Sequence, residues 1–232
     1  NPLYIKGLNA LSDHLPDLAI EPLKSSLGDF QDNPQARTKI HLKLAEALVR
    51  AGRLQKHAPD TQKLATSALD YLNEYLSGNM PSSVFWSAHA HVLRGELTQA
   101  ATLFAELENT RDADLRNQSS LSRAYILSAL GDKRGAQLLL KTISADPAQT
   151  PPSKDALLLS ASMLIEQQQV SEADQILNKD FVPLNRQQEI HAAYLRCRLT
   201  ALSDKRLAIP SLREIIEDPQ AVPPLIRPVS YT

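Results

Sequence analysis

The sequence has few of the features that mark several classes of protein. It holds one cysteine, which excludes an intramolecular disulfide and a multi-cysteine zinc site. Its 25 basic and 26 acidic residues leave a net charge of −1, which argues against a dedicated nucleic-acid binder with a basic face. No apolar run approaches the ~20 residues that a membrane-spanning helix needs. We therefore expect no disulfide, no nucleic-acid partner and no membrane span in this chain.

Glycine is also scarce, with seven in 232 residues, and signals for strands are missing. There is no convincing alternation of apolar and polar residues, and no Asn-Gly or Asp-Gly pair joins two strand-like runs. By contrast, residues 36–52 place Ile40, Leu44, Ala47 and Leu48 at helical spacing. The sequence therefore predicts an all-α fold.

An alanine recurs along the chain, with a large apolar residue four positions after it. The six alanines are Ala19, Ala65, Ala100, Ala136, Ala173 and Ala208. The large residues are Leu23, Leu69, Phe104, Leu140, Leu177 and Leu212. The later spacings between alanines are 35, 36, 37 and 35 residues, whereas the first is 46. Because residues four apart share a helix face, each pair predicts the packing side of one helix.

Two further positions keep a fixed distance from the alanine. Five places before it stand Gly95 and Gly131 in two copies, and His14, Asp60, Gln168 and Ser203 in the others. Twelve places before it stand the small residues Gly7, Ala88, Ala124 and Ala161. This order along the chain, with a small residue first, then a turn residue and then the alanine, predicts two antiparallel helices joined by a turn. Neither helix can bury its apolar stripe alone, so successive pairs must stack.

This pattern resembles the tetratricopeptide repeat family, whose period is about 34 residues. The resemblance implies an all-α, right-handed superhelical solenoid of antiparallel helix pairs over residues 1–216. Six approximate units are expected, at 1–33, 34–80, 81–113, 114–150, 151–185 and 186–216. Residues 217–232 contain four prolines and are predicted to form an extended tail.

The sequence departs from the family pattern at three places, and each departure predicts a local change in structure. The second unit has about ten extra residues, at 53–62, which we expect to lengthen the turn or the start of the second helix. Pro22 and Pro210 fall inside predicted second helices and should kink or restart them. Arg196 takes the small-residue position of the last unit, where its bulk puts close packing in doubt.

The usual catalytic patterns are missing, including HExxH, GxSxG and a Gly-rich phosphate loop. His89 and His91 are two residues apart, so on a helix they point about 200° apart and do not share a metal ion. Cys197 lies between two arginines, and we interpret it as a packing or groove-facing residue. The expectation is a non-enzymatic protein with no cofactor and no metal.

In the tetratricopeptide family, the first helix of each pair lines an inner, concave surface that holds peptides or a partner helix. Carried onto this chain, the resemblance implies partner-binding residues at Lys39, Leu42, Glu46, Phe85, His89, Leu121, Tyr125, Leu158, Ser162 and Cys197. A groove with Phe85, Tyr125 and His89 suits a helix or an aromatic-bearing peptide. The competing interpretation is that neighbouring helices cover several of these residues.

The function that the resemblance implies is a scaffold or adaptor that binds a protein or peptide partner. One alternative is a recruiting or regulatory arm of a larger multidomain enzyme or a bacterial envelope or export assembly. Another is an RNA-binding helical repeat, which the charge balance disfavours. No polar capping helix is visible at the C-terminal end, so self-association through that end is a further possibility. The sequence leaves bacterial cytoplasm and periplasm open, the latter if a signal peptide precedes Asn1.

Overall fold

A computed structural model of the chain describes residues 1–75, 80–145 and 150–217. These residues are 85% helical and form twelve α-helices and no strand, so the prediction of an all-α fold is confirmed. The helices are α1 (Pro2–Ser12), α2 (Pro16–Ser26), α3 (Pro34–Leu54), α4 (Ala58–Tyr75), α5 (Pro81–Leu93), α6 (Leu97–Glu106), α7 (Ala113–Ala129), α8 (Lys133–Ser144), α9 (Pro151–Glu166), α10 (Val170–Gln175), α11 (Arg186–Ser203) and α12 (Lys205–Glu217). Short 3₁₀ turns follow α2 and α6, and a π-helical turn, Ile176–Asp180, follows α10. We call the odd-numbered helices first helices and the even-numbered ones second helices.

Proline and asparagine mark where many of these helices begin. Helices α1, α2, α3, α5 and α9 each start on a proline, whose fixed φ suits the first helical turn and whose missing N–H is not needed there. The side chains of Asn1, Asn33 and Asn185 accept hydrogen bonds from backbone N–H groups at the starts of α1, α3 and α11. These caps satisfy donors that a helix leaves without an internal partner.

The contacts divide the chain into unit 1, Asn1–Ser119, and unit 2, Ser120–Thr232, with the boundary inside α7. In unit 1, each helix from α1 to α5 packs against the next one along the chain, and α3 also packs against α5. In unit 2, α9 packs against α8, α10 and α11, and α11 packs against α12. Packing thus joins sequence neighbours and first helices of consecutive pairs. The superhelical path of the array stays a prediction.

The recurring alanines lie in the core, as their spacing predicts. All six are buried, and five of the six large apolar residues that follow them are buried as well. Leu212 is the exception, because 37% of its surface is exposed on α12, the last helix that the structure describes. Small side chains let the second helices approach their neighbours, and the large side chain one turn later fills the space between them.

Four of the six turns between the two helices of a pair contain a residue with a left-handed backbone. Gly95 and Gly131 have φ of 80° and 89°, and the equivalent His14 and Gln168 have φ of 59° and 58°. The predicted turn position is therefore confirmed in four pairs. At the other two, Asp60 lies inside α4 and Ser203 ends α11. Glycine adopts positive φ without a steric penalty, whereas in histidine and glutamine the Cβ atom makes this conformation energetically unfavourable.

The extra residues of the second unit lengthen two helices rather than the turn alone. Helix α3 runs for 21 residues and ends at Leu54, and α4 begins at Ala58. The Thr61 hydroxyl donates to the Gly52 carbonyl at 3.2 Å, which ties the start of α4 to the end of α3. Residues 53–62 are thus divided between the last turn of α3, a short connection and the first turn of α4.

The prolines inside second helices do not restart them. Helix α2 continues through Pro22 and α12 continues through Pro210. The expectation of a restarted helix at these positions is wrong. Each proline removes one backbone N–H from its helix, and the expected kink at these positions stays a prediction.

The small-residue position is tight where it holds glycine and open where it holds arginine. A Cβ added at Gly7 would lie 2.6 Å from Cγ of Leu23, so α1 and α2 touch there. Arg196 is half-buried, and its guanidinium donates to the Leu177 carbonyl and, at 2.9 Å, to Oδ1 of Asn178. Its length therefore serves to reach the carbonyl groups of the π-helical turn.

The described part of the chain contains no helix with the length and apolar character to cross a membrane. Of the predicted tail at 217–232, Glu217 ends α12. The remaining residues, 218–232, lie outside the described residues.

Candidate partner-binding surfaces

Five charged residues lie along one side of α3 in unit 1. Their spacing of four, three, four and three residues keeps them on a single helix face, which we name the basic stripe. The stripe consists of Lys39, Lys43, Glu46, Arg50 and Arg53. Two of these, Lys39 and Glu46, are predicted partner-binding residues, and the predicted Leu42 lies half-buried at the edge of the stripe.

Glu46 is buried beneath two of the cations. Nζ of Lys43 lies 2.8 Å from Oε2 of Glu46, and Nη2 of Arg50 lies 2.7 Å from Oε1. One carboxylate thus holds two cations, both of which keep a partly exposed side chain. Glu46 therefore positions Lys43 and Arg50, and the net charge of the stripe remains positive.

The stripe rests on aromatic side chains of α5. The Arg50 guanidinium lies 5.9 Å from the ring centroid of Trp86, within cation–π range, and donates to the Leu11 carbonyl at 3.4 Å. One turn later, Nη2 of Arg53 lies 2.6 Å from Nδ1 of His89. Because arginine has only donors, Nδ1 of His89 is the acceptor.

His89 is held neutral by its surroundings. Its ring centroid lies 4.5 Å from that of Phe85 and 4.9 Å from that of Phe104, in edge-to-face contacts. Burial, and then the Arg53 charge, hold the pKa of His89 well below its usual value of 6.5. Phe85 itself is buried in this aromatic cluster, whereas Trp86 and His89 are half-buried.

His91 contacts a different residue from His89. Its Nδ1 contacts Oε2 of Glu96, whose other oxygen lies 2.8 Å from Nη2 of Arg94. Among the described residues, no group of three or more His, Cys, Asp and Glu side chains is placed to hold a metal ion. The two histidines therefore serve separate contacts at the end of α5.

In unit 2, polar contacts join the first helices α9 and α11 at two levels. Nε2 of Gln188 donates to Oδ1 of Asp155 at 2.9 Å and to the Pro151 carbonyl at 3.3 Å. Two turns later, Nη1 of Arg198 donates to Oγ of Ser162 at 3.4 Å, and its guanidinium lies 6.0 Å from the Tyr194 ring centroid. The predicted Ser162 thus lies at the α9–α11 contact.

Tyr125 and Asp155 both have raised pKa values. Burial, and then the Asp155 carboxylate, raise the pKa of Tyr125 to about 12, although 38% of the residue is exposed. Burial also raises the pKa of Asp155 above its usual value, against the opposing hydrogen bond from Gln188. The tyrosine hydroxyl is therefore a neutral donor at physiological pH.

The remaining predicted residues of unit 2 lie in or near the core. Leu158 and Cys197 are buried, and Leu121 is half-buried against a cluster that includes Ala124, Ala136 and Ala156. In unit 1 the structure thus places Lys39, Leu42 and Glu46 along α3, and Phe85 and His89 in the aromatic cluster of α5 that Arg53 contacts through His89. In unit 2, Tyr125 is exposed and Ser162 is half-buried, whereas Leu158 and Cys197 are buried.

Sequence reasoning missed the residues that form most of the contacts on these surfaces. These are Lys43, Arg50, Arg53, Asp155, Gln188 and Arg198. For the stripe a signal was present, since cations recur every three or four residues from Lys39 to Arg53. The α9–α11 contacts have no such local signal, because they pair residues more than thirty positions apart.

Comparisons with known proteins add nothing to this geometry. No family model, no curated protein and no solved structure matches the chain. The likeness to tetratricopeptide repeats therefore stays a prediction from the residue pattern and the helix pairs.

Proposed function

We propose that this protein is a non-enzymatic scaffold whose helix pairs form a tetratricopeptide-like array and whose first helices bind a peptide or a partner helix. The observation that carries the proposal is the joint surface of α3 and α5, where the basic stripe lies beside Trp86 and His89. Tryptophan and arginine are the residue types that most often dominate binding energy at protein interfaces.

The rigidity of this surface supports the proposal. Arg50 is fixed by Glu46, Trp86 and the Leu11 carbonyl, and Arg53 is fixed by His89. Side chains that are already ordered lose less conformational entropy when a partner arrives. The aromatic cluster of Phe85 and Phe104 beneath them is buried, so the surface rests on a packed core.

Site-specific photo-crosslinking tests the proposal. A benzophenone amino acid replaces exposed Lys39 on the stripe, or exposed Thr66 on second helix α4 as the matched control. We expect the probe at position 39 to form adducts with other proteins in cells and the probe at position 66 to form few. Equal adducts at both positions, or none at position 39, would contradict binding through the first helices.

A further inference from the structure

The charges of unit 1 are segregated between its two sets of helices. First helices α1, α3 and α5 contain six basic residues and one acidic residue, the buried Glu46. Second helices α2, α4 and α6 contain two basic and six acidic residues. A net charge of −1 for the whole chain conceals this division.

Unit 2 and its boundary helix do not repeat the division. First helices α7, α9 and α11 contain six basic and four acidic residues, and second helices α8, α10 and α12 also contain six and four. The separation of charge is thus a property of unit 1. The same unit contains the surface on which the basic stripe lies beside Trp86 and His89.

From these observations we propose that the basic stripe of unit 1 binds a short acidic segment of a protein partner. This inference rests on the proposed function and names the chemistry of its partner. Lys39 and Arg53 are exposed at the two ends of the stripe, and Lys43 and Arg50 are partly exposed between them. A segment rich in Asp and Glu matches this charge, whereas the acidic second helices of unit 1 disfavour it.

The length of the stripe defines the length of the segment. Arg53 lies fourteen positions after Lys39, which is about 21 Å along a helix axis. An extended peptide spans this distance with about six residues. Trp86 and Leu42 lie partly exposed beside the cations, so a large apolar residue within the acidic segment has a surface to cover.

A protein segment fits the surface better than a nucleic acid does. The stripe is one helix wide, and two of its four cations are already paired with Glu46. Nucleic-acid binding gains most of its affinity from many unpaired cations spread along a phosphate backbone. An acidic peptide needs fewer charges and also gains from apolar contact with the indole ring.

The test uses the full chain and a synthetic peptide capped at both ends, Ac-Asp-Glu-Phe-Asp-Glu-Leu-Asp-Glu-NH₂. Trp86 is the only tryptophan of the chain, and the peptide has none, so Trp86 emission reports binding at the stripe. The control peptide replaces every Asp and Glu with Asn and Gln. We expect a change in Trp86 emission with the acidic peptide, at least about tenfold weaker binding of the control peptide, and loss of affinity as NaCl is raised.

A charge-matched pair of variants locates the site. Lys39→Gln with Arg53→Gln removes two cations of the stripe, and Lys24→Gln with Lys63→Gln removes two cations of second helices. The first double variant should bind the acidic peptide about tenfold more weakly, and the second less than about twofold. Equal losses in both, or no difference between acidic and control peptides in the wild-type chain, would overturn the proposal.

Two further outcomes separate the competing explanations. If a thymidine oligonucleotide binds more tightly than the acidic peptide and the stripe variant abolishes that binding, the surface is a nucleic-acid site and the proposal is overturned. If position 39 crosslinks to proteins but the acidic peptide does not bind, the acidic specificity is wrong while the scaffold function stands. If neither occurs, both proposals fail.

Discussion

At the scale of single residues, His89 links packing to charge. Its ring is enclosed by Phe85 and Phe104, and Arg53 donates to it, so protonation in the folded chain is disfavoured. The unfolded chain lacks these constraints and takes up a proton below a pH of about 6.5. Below that pH the unfolded state therefore binds more protons than the folded state, and stability falls as the pH falls.

Replacing His89 with phenylalanine should weaken this pH dependence. The wild-type free energy of unfolding is expected to decrease between pH 7.5 and 5.5, and in His89→Phe the decrease should be smaller by about 1 kcal/mol. Urea titrations followed by Trp86 fluorescence measure unfolding of the unit that contains His89. His41 and His191 also have lowered pKa values and remain in both proteins, so the difference isolates His89. Equal decreases would show that His89 is not the group that resists protonation.

Gly7 tests how closely α1 and α2 approach each other. An alanine there would press its Cβ against Leu23, and the cost of overpacking should exceed the helix propensity that alanine adds. We expect Gly7→Ala to lower the free energy of unfolding by about 1 kcal/mol. Gly28→Ala is the control, because an added Cβ at that position meets no atom within 4 Å. If Gly7→Ala is as stable as Gly28→Ala, the close approach is wrong.

At the scale of elements, the turn within each pair decides how its helices meet. Gln168 adopts a φ of 58° between α9 and α10, a conformation that costs a non-glycine residue roughly 1 kcal/mol. Gln168→Gly should therefore stabilise the chain by about 0.5 kcal/mol, measured by thermal unfolding with circular dichroism. Gln167→Gly, at a φ of −85°, should instead destabilise it. A loss of stability in Gln168→Gly would contradict the turn geometry.

The spacing of small and large residues predicts most elements because local packing decides them. Ala100 and Phe104 are both buried on α6, and Gly95 forms the turn before it, as their five- and four-residue spacings require. Leu212 departs from the pattern, since no described helix lies beyond α12 to cover it. The π-helical turn at Ile176–Asp180 also has no local sequence signal. Arg196 contacts it from a different helix.

The candidate surfaces were harder to predict than the helices. The tetratricopeptide resemblance names one face of each first helix, and this face includes Lys39 and Glu46. It does not reveal that Glu46 would be buried under Lys43 and Arg50, or that Phe85 would lie beneath Trp86 and His89. The ion pairs of Glu46 lie within reach of spacing, because Lys43 and Arg50 stand three and four residues from it on α3. The contacts of Arg50 and Arg53 with Trp86 and His89 reach from α3 to α5, and spacing within one helix carries no information about them.

At the scale of the whole molecule, packing is concentrated in two units. Leu140 is buried in unit 2 against Ala136 and Met163, whereas Trp86 lies in unit 1. Leu140→Ala should destabilise unit 2 by about 2–5 kcal/mol, because it leaves a cavity in the core. We expect the transition followed by circular dichroism to shift and the transition followed by Trp86 fluorescence to stay near its wild-type midpoint. Equal shifts by both probes would show that the chain unfolds as one cooperative body.

The length of α3 has a consequence for selectivity. Its 21 residues exceed the 11 of α1 and the 13 of α5, and the added turn is the one that carries Arg53 to His89. If the basic stripe binds an acidic segment as we propose, the length of α3 sets which segments it distinguishes. A segment with acidic residues about 20 Å apart would then reach both terminal cations, and a shorter one would reach only one of them. Removal of one turn from α3 would change which ligands the surface distinguishes without changing how many helix pairs the protein has.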